Sequence, residues 1–145
     1  MGTRANIGIL NRDGTVTAIY THWDGYPDHH GPILLGSYAT EGRVRELIAL
    51  GDLSVLGRKL GEQHDFNSHD NDGDDCLAYH RDRGEKWEGV KPVDFDSEDT
   101  FSRGFGGADY VYLWKDGAWH WCAAREYSPE AQLRPLTRQD CRIAS

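Results

Sequence analysis

Read as a string of apolar and polar positions, the chain opens with two strands. Ala5 to Leu10 and Thr15 to Tyr20 are rich in β-branched residues and flank Asn11-Arg12-Asp13-Gly14, whose Asp-Gly pair is a tight-turn signal. This predicts a hairpin whose second strand runs into His22-Trp23-Asp24-Gly25-Tyr26-Pro27, where glycine and proline stop the pairing. Gly31-Pro32 followed by Ile33, Leu34 and Leu35 reads as a helix with proline in its first turn, running to about Tyr38. A second helix follows. Thr40 can cap it, Val44, Leu47 and Ile48 recur at helical spacing on one stripe, and Gly51 ends it. Asp52 to Gly57 reads as a short turn of helix under the same sheet.

Between Gly61 and Asp75 polar residues surround Phe66, the one apolar anchor, which predicts a long, mobile, acidic surface loop. Cys76 to His80 then gives a short inner strand that delivers Arg81-Asp82-Arg83-Gly84-Glu85 to its end. Val93 to Ser102 carries the helix-start residues Asp96, Ser97, Glu98 and Asp99, which predict one short helix before the Gly104-Phe105-Gly106-Gly107 break. The last hairpin is the clearest, with Tyr110 to Trp114 and Ala118 to Cys122 joined by Lys115-Asp116-Gly117. Alternation places Tyr110, Tyr112 and Trp114 on one side of their strand, and Trp119 and Trp121 on one side of the next. This aromatic surface is read as core beneath the helices in preference to an exposed platform for stacking bases. Pro129, Pro135 and many charges predict an irregular tail from about residue 128. The sum is one α+β domain over residues 1–145, with an antiparallel sheet of about five strands. Two hairpins and a middle strand make that sheet, and two to three helices pack on one of its faces.

Composition changes this picture in two places. With 145 residues, 38% hydrophobic content and a mean hydropathy of -0.70, the core must lean on its 5 Trp, 7 Tyr and 4 Phe. The net charge of -8 is uneven: six acids and no Lys or Arg lie between Glu62 and Asp75, so the rest of the chain carries only -2. Such clustering argues against an acidic mimic of DNA, and no direct DNA binding is expected, although the uneven spread means that the net charge alone does not imply repulsion from nucleic acid. No apolar run is long enough to cross a membrane, and the first residues lack the apolar stretch of a signal peptide. Asn6 stands where a myristoylation motif on Gly2 would need Ser or Thr.

Three cysteines without a CxxC spacing, Cys76, Cys122 and Cys141, fit free thiols in a reducing compartment. Cys76 with His80 and His120 with Cys122 do not match paired zinc-ligand spacings. Asp70-Asn71-Asp72-Gly73-Asp74 resembles a calcium loop, but in that register Tyr79 falls where a bidentate Glu is needed. No metal and no cofactor are therefore expected. Phosphate-loop, nucleophile-elbow and HExxH patterns do not occur.

Two polar clusters at strand ends remain as candidate chemistry. His22 and Asp24, two apart, should point the same way and work as one acid/base or hydrogen-bonding unit, with Trp23 on the other side and Tyr26 close by. Arg81 and Arg83 should likewise share a face, with Asp82 opposite, and two guanidiniums presented together suit a phosphate. Arg4 could join them if the first strand is a sheet neighbour. Against these readings stand a capped turn with a surface histidine, and an exposed salt-bridge ladder.

Met1-Gly2-Thr3-Arg4, Ile19 to Pro27 with its His-Trp-Asp-Gly-Tyr-Pro core, Leu47 to Ser54, and Tyr79 to Glu85 with its Arg-Asp-Arg-Gly-Glu core together resemble a family of small uncharacterised proteins encoded by bacteriophages, prophages and plasmids. His80 departs from that pattern, which often has glycine there. The resemblance implies a product acting in the bacterial host cytoplasm as a counter-defence factor. On that footing the leading expectation is a protein that sequesters a phosphorylated nucleotide immune signal. Arg4, Arg81 and Arg83 would hold phosphate, and His22, Trp23, Asp24, Tyr26 and Asp82 would complete the site. A phosphodiesterase using His22, and an inhibitor that blocks a host defence protein by direct contact, stand beside it. A homo-oligomer with pockets between copies stays open as well.

Overall fold

The computed structural model describes residues 3–61 and 75–139, so the calcium-like stretch of the acidic loop and Cys141 lie outside the described residues. β1 (Ala5–Leu10) and β2 (Val16–Thr21) form the expected hairpin, with Ile7 opposite Ile19. Its turn closes through the Gly14 amide to the Asn11 carbonyl at 3.0 Å, while Asp13 accepts from both the amide and the hydroxyl of Thr15. α1 (Pro27–Ser37) begins earlier than the apolar pattern suggested, with Pro27 rather than Pro32 in its first turn. Asp28, His29 and His30 disguise that start, and Pro32, inside the helix, forgoes only the bond to the Asp28 carbonyl. α2 (Glu41–Ile48) matches its prediction: the Thr40 hydroxyl accepts from the Arg43 amide, and Val44, Leu47 and Ile48 are buried. Burying three such side chains contributes roughly 1.5–3 kcal/mol each.

Asp52 to Gly57 is not helical. It contributes β3 (Leu53–Val55), which pairs in parallel with the end of β2 through Thr21 and Leu53. β4 (Leu77–Ala78) is shorter than predicted and lies at the sheet edge beside β3, not inside. α3 (Trp87–Val90) and β5 (Val93–Phe95) precede α4 (Glu98–Ser102), which the Ser97 hydroxyl caps by accepting from the Thr100 amide. β6 (Tyr110–Lys115) and β7 (Ala118–Ala123) form the second hairpin, and Asp116 and Gly117, with φ of 52° and 76°, make the primed turn that such strands favour. The tail contributes a further strand, β8 (Arg134–Pro135), paired with His120 and Trp121 of β7.

Among the described residues the sheet therefore has eight strands where about five were expected, in the order β4-β3-β2-β1-β6-β7-β8, with β5 pairing the first half of β2. It is mostly antiparallel, but β1 with β6 and β2 with β3 run parallel. Helices also cover both faces, not one. On the first face α1 and α2 lie over Ile7, Ile9, Ile19, Tyr112, Trp114, Trp119 and Trp121, so the aromatic hairpin surface is core, as its alternation indicated. On the second face α4 brings Phe101 onto Val16, Ala18, Val111 and Leu113, with Phe95 and Phe105 packed around it. Among the described residues no helix is long and apolar enough to cross a membrane.

Candidate functional site

The second face is covered by α4 only near the start of β2. Toward the other end of that strand the register lines up a row of four side chains from four neighbouring strands. Asn6 lies opposite Tyr20, Tyr20 is one step before the Thr21–Leu53 pair and so neighbours Asp52, and the Tyr79 amide donates to the Asp52 carbonyl at 3.2 Å. Ala5, Thr21, Leu53 and Ala78 are buried toward the first face, so the alternating row points to the second. Extending the β1–β2 register by one step sets Arg4 opposite His22. Tyr20, His22, Asp52 and Tyr79 are all half-buried and Arg4 is exposed, which makes a wetted polar patch.

Each member is held from below. Asn6 is fully buried, and its amide pairs in both directions with the Phe105 backbone: Nδ2 donates to the carbonyl at 3.2 Å and Oδ1 accepts from the amide at 2.8 Å. This clamp lays the Gly104-Phe105-Gly106-Gly107 loop against the row. Gly106 and Gly107 have φ of 68° and 79°, and a methyl group at Gly106 would lie 2.9 Å from the Tyr20 ring, one at Gly107 3.0 Å from a guanidinium nitrogen of Arg4. Only glycine lets the loop come this close. The Tyr20 hydroxyl meets His22 Nδ1 at 2.8 Å, and the ring of His22 stands edge-on to Trp23 at 4.7 Å. Burial raises the Tyr20 phenol above its ordinary value, the nearby Arg4 charge pulls it back, and Tyr79 and Asp52 act on it from the other side. Asp52 Oδ1 accepts from the Tyr20 amide at 2.9 Å, and burial pushes this carboxyl from the ordinary 3.8 to about 6.

The predicted residues separate into three groups. Arg4, His22 and Trp23 gather around Tyr20, and Arg83 reaches the same patch from beyond Tyr79, with its guanidinium 5.8 Å from that ring and an ion pair to Glu85 at 3.2 Å. Asp24 and Tyr26 turn away. The expected His22–Asp24 unit does not form, because β2 ends at Thr21 and Asp24 takes a left-handed backbone with φ of 59°. Asp24 accepts instead from the Tyr26 hydroxyl at 3.1 Å, and Tyr26 sits at the head of α1 against His29.

Arg81 and Asp82 form the third group, and they are struts. The Arg81–Arg83 segment is a turn, with the Asp82 amide bonded to the Ala78 carbonyl, so the two arginines do not share a face. Arg81 donates to the Leu60, Gly61 and Cys76 carbonyls and to both oxygens of Asp82, whose side chain is fully buried and accepts from the Ala78 amide. This pair ties β4 to the chain on either side of the acidic loop.

Asn6, Tyr20, Asp52 and Tyr79 escaped the sequence reading, although Tyr20 stands two before His22 on one strand and so carried a signal. Asp52 and Tyr79 had none, because their placement depends on the pairing of β3 and β4. Among the described residues no group of three or more His, Cys, Asp and Glu converges as a metal site, and Cys76 and Cys122 are buried free thiols. Cys76 is held by the Tyr38 hydroxyl and the Gly57 amide, and burial raises it further from the thiolate. No family model matches the chain, and neither does any curated protein or solved structure.

Proposed function

We propose that the protein binds a phosphorylated nucleotide on the patch built from Arg4, Tyr20, His22, Tyr79 and Arg83, and acts by holding it. The observation that carries this reading is the row of side chains from four strands with a guanidinium at each end. Arginine suits phosphate because its planar donors match the anion's oxygens, and exposed aromatic faces beside it suit a base. The resemblance of the His-Trp-Asp-Gly-Tyr-Pro and Arg-Asp-Arg-Gly-Glu segments to proteins of phages, prophages and plasmids supplies the setting, in which the captured nucleotide is an immune signal of the host and the protein a counter-defence factor. Isothermal titration with a panel of linear and cyclic nucleotides tests it. Heat of binding that is weakened by roughly tenfold or more in Arg4→Ala is expected. Uniform absence of heat at high protein concentration overturns it.

The contact between Tyr20 and His22 favours a second reading, a phosphodiesterase. With Nδ1 engaged by a phenol, the imidazole is fixed in orientation and Nε2 is left to move a proton. Chromatography of the recovered nucleotide separates the two. Intact ligand means sequestration, whereas a cleaved product that disappears in His22→Ala means catalysis.

A further inference from the structure

A concavity at α4, away from the patch, is lined by two arginines. The amides of Arg125 and Glu126 donate to the Ser102 and Arg103 carbonyls at 2.9 and 3.1 Å, so the turn after β7 is bonded backbone to backbone onto the end of α4. Arg103 and Arg125 thereby reach one cavity of about 350 Å³, whose other walls are Asp99, Thr100 and Pro129. That volume falls within the ~300–1,000 Å³ of small-molecule sites. Among the described residues, Arg4, Tyr20, His22 and Asp52 take no part in lining it.

Elsewhere in the chain arginine donors are used up: Arg81 spends its own on three carbonyls and Asp82. At this cavity they are idle. Arg103 is exposed, and among the described residues its side chain makes no hydrogen bond and no ion pair. The Arg125 guanidinium reaches Asp99 through one nitrogen at 3.4 Å, while its Nε is buried with no acceptor among the described residues. Asp99 is 92% exposed, so this contact holds weakly and is readily exchanged. Two cations facing one cavity repel each other unless an anion joins them. A neighbouring cavity that shares Asp99 and Arg125 also holds Glu98 and Lys115, but these pair with each other at 2.8 Å and add no net charge.

We propose that Arg103 and Arg125 form an anion site for a phosphate group, carried either by free phosphate or by a small phosphate ester. Phosphate matches the planar donors of both guanidiniums and replaces the single Asp99 contact with a shared, more highly charged acceptor. A monocarboxylate, with one charge and two oxygens, serves fewer of those donors. The site uses none of the residues of the nucleotide patch and stands or falls independently of that reading.

Magnetic resonance of the isotope-labelled full chain, following the side-chain Nε–Hε signals of Arg103 and Arg125, tests this with inorganic phosphate, glycerol phosphate and acetate at constant ionic strength. The expected result is a saturable movement of both signals with phosphate, its ester or both, and none with acetate. Tighter binding of glycerol phosphate assigns the ester, and tighter binding of phosphate the free ion. Arg103→Gln, at an exposed position that leaves the fold intact, should weaken binding by roughly tenfold or more. Arg125→Lys, which keeps the charge and loses the planar fork, should weaken it too, and Arg4→Gln should leave it unchanged. No saturable movement with either phosphate compound overturns the site. So does an equal response to acetate, or binding that survives Arg103→Gln or is lost in Arg4→Gln.

Discussion

The two faces of the sheet are built from alternate residues of the same strands, yet they are finished differently. The first face is sealed: Tyr38, Tyr112, Trp114 and Trp119 are buried under α1 and α2, and the Trp119 indole donates to the Tyr38 carbonyl at 2.8 Å. The second is sealed at the α4 end by Phe95, Phe101 and Phe105, and left half-open along Tyr20, Asp52 and Tyr79. The difference teaches where this chain places stability and where it leaves room for chemistry. A covered face contributes apolar burial and satisfied donors; an open one keeps cations, phenols and a carboxylate in reach of water.

Substitutions can break this contrast, and the largest effect belongs to the sealed face. Trp119→Ala removes a buried indole and leaves the Tyr38 carbonyl without its donor, so stability should fall by about 3–5 kcal/mol in urea titrations. A loss below about 1 kcal/mol would mean that the first face is not the main core. Next comes the contrast within the Arg-Asp-Arg-Gly-Glu turn. Arg81→Ala removes the guanidinium paired with the buried Asp82 carboxylate and should lose roughly 3 kcal/mol, whereas Arg83→Ala should stay within about 0.5 kcal/mol of the parent. Equal losses would contradict the assignment of one arginine as strut and the other as site.

Asn6→Ala probes the border between the faces. It deletes both hydrogen bonds to Phe105 and should lose about 2 kcal/mol while loosening the loop behind Arg4. Hydrogen exchange at Phe105 through Gly107 should rise accordingly. The smallest effect is a pH dependence. Asp52 has its folded pKa raised from 3.8 to about 6, so the folded chain keeps a proton there that the unfolded chain has released. Its contribution to stability is greatest below the unfolded value and is lost as pH rises through the folded one, between about pH 4 and 6. Asp52→Asn keeps an acceptor for the Tyr20 amide without an ionisable group. It should raise the urea midpoint at pH 7 and flatten this part of the pH profile; an unchanged profile would place the perturbation elsewhere.

Much of the fold was legible in the sequence because local signals agreed with tertiary packing. The Asp-Gly turns, the Thr40 cap and the Val44-Leu47-Ile48 stripe each specified their element alone. What stayed hidden were elements with no local reason to exist. β3, β4, β5 and β8 are two or three residues long, too short for a period-two pattern, and they are strands only because an edge was waiting for them. The same holds for the site. His22 and the Arg-rich turn stood out by residue type, but whether Arg81 or Arg83 faced solvent depended on the helical turn after β4 and on the carbonyls of Leu60 and Gly61.

The parallel pairing of β1 with β6 has a consequence for how the chain is made. β1 is a central strand of the sheet, and the partner that covers its second edge, Tyr110 to Trp114, is separated from it by most of the chain. At translation rates of about 5–20 residues per second, the first hairpin waits several seconds or more with one long apolar edge unsatisfied. Nascent chains arrested before Lys115 should therefore lean on chaperones, and folding should begin in earnest only once that segment leaves the ribosome.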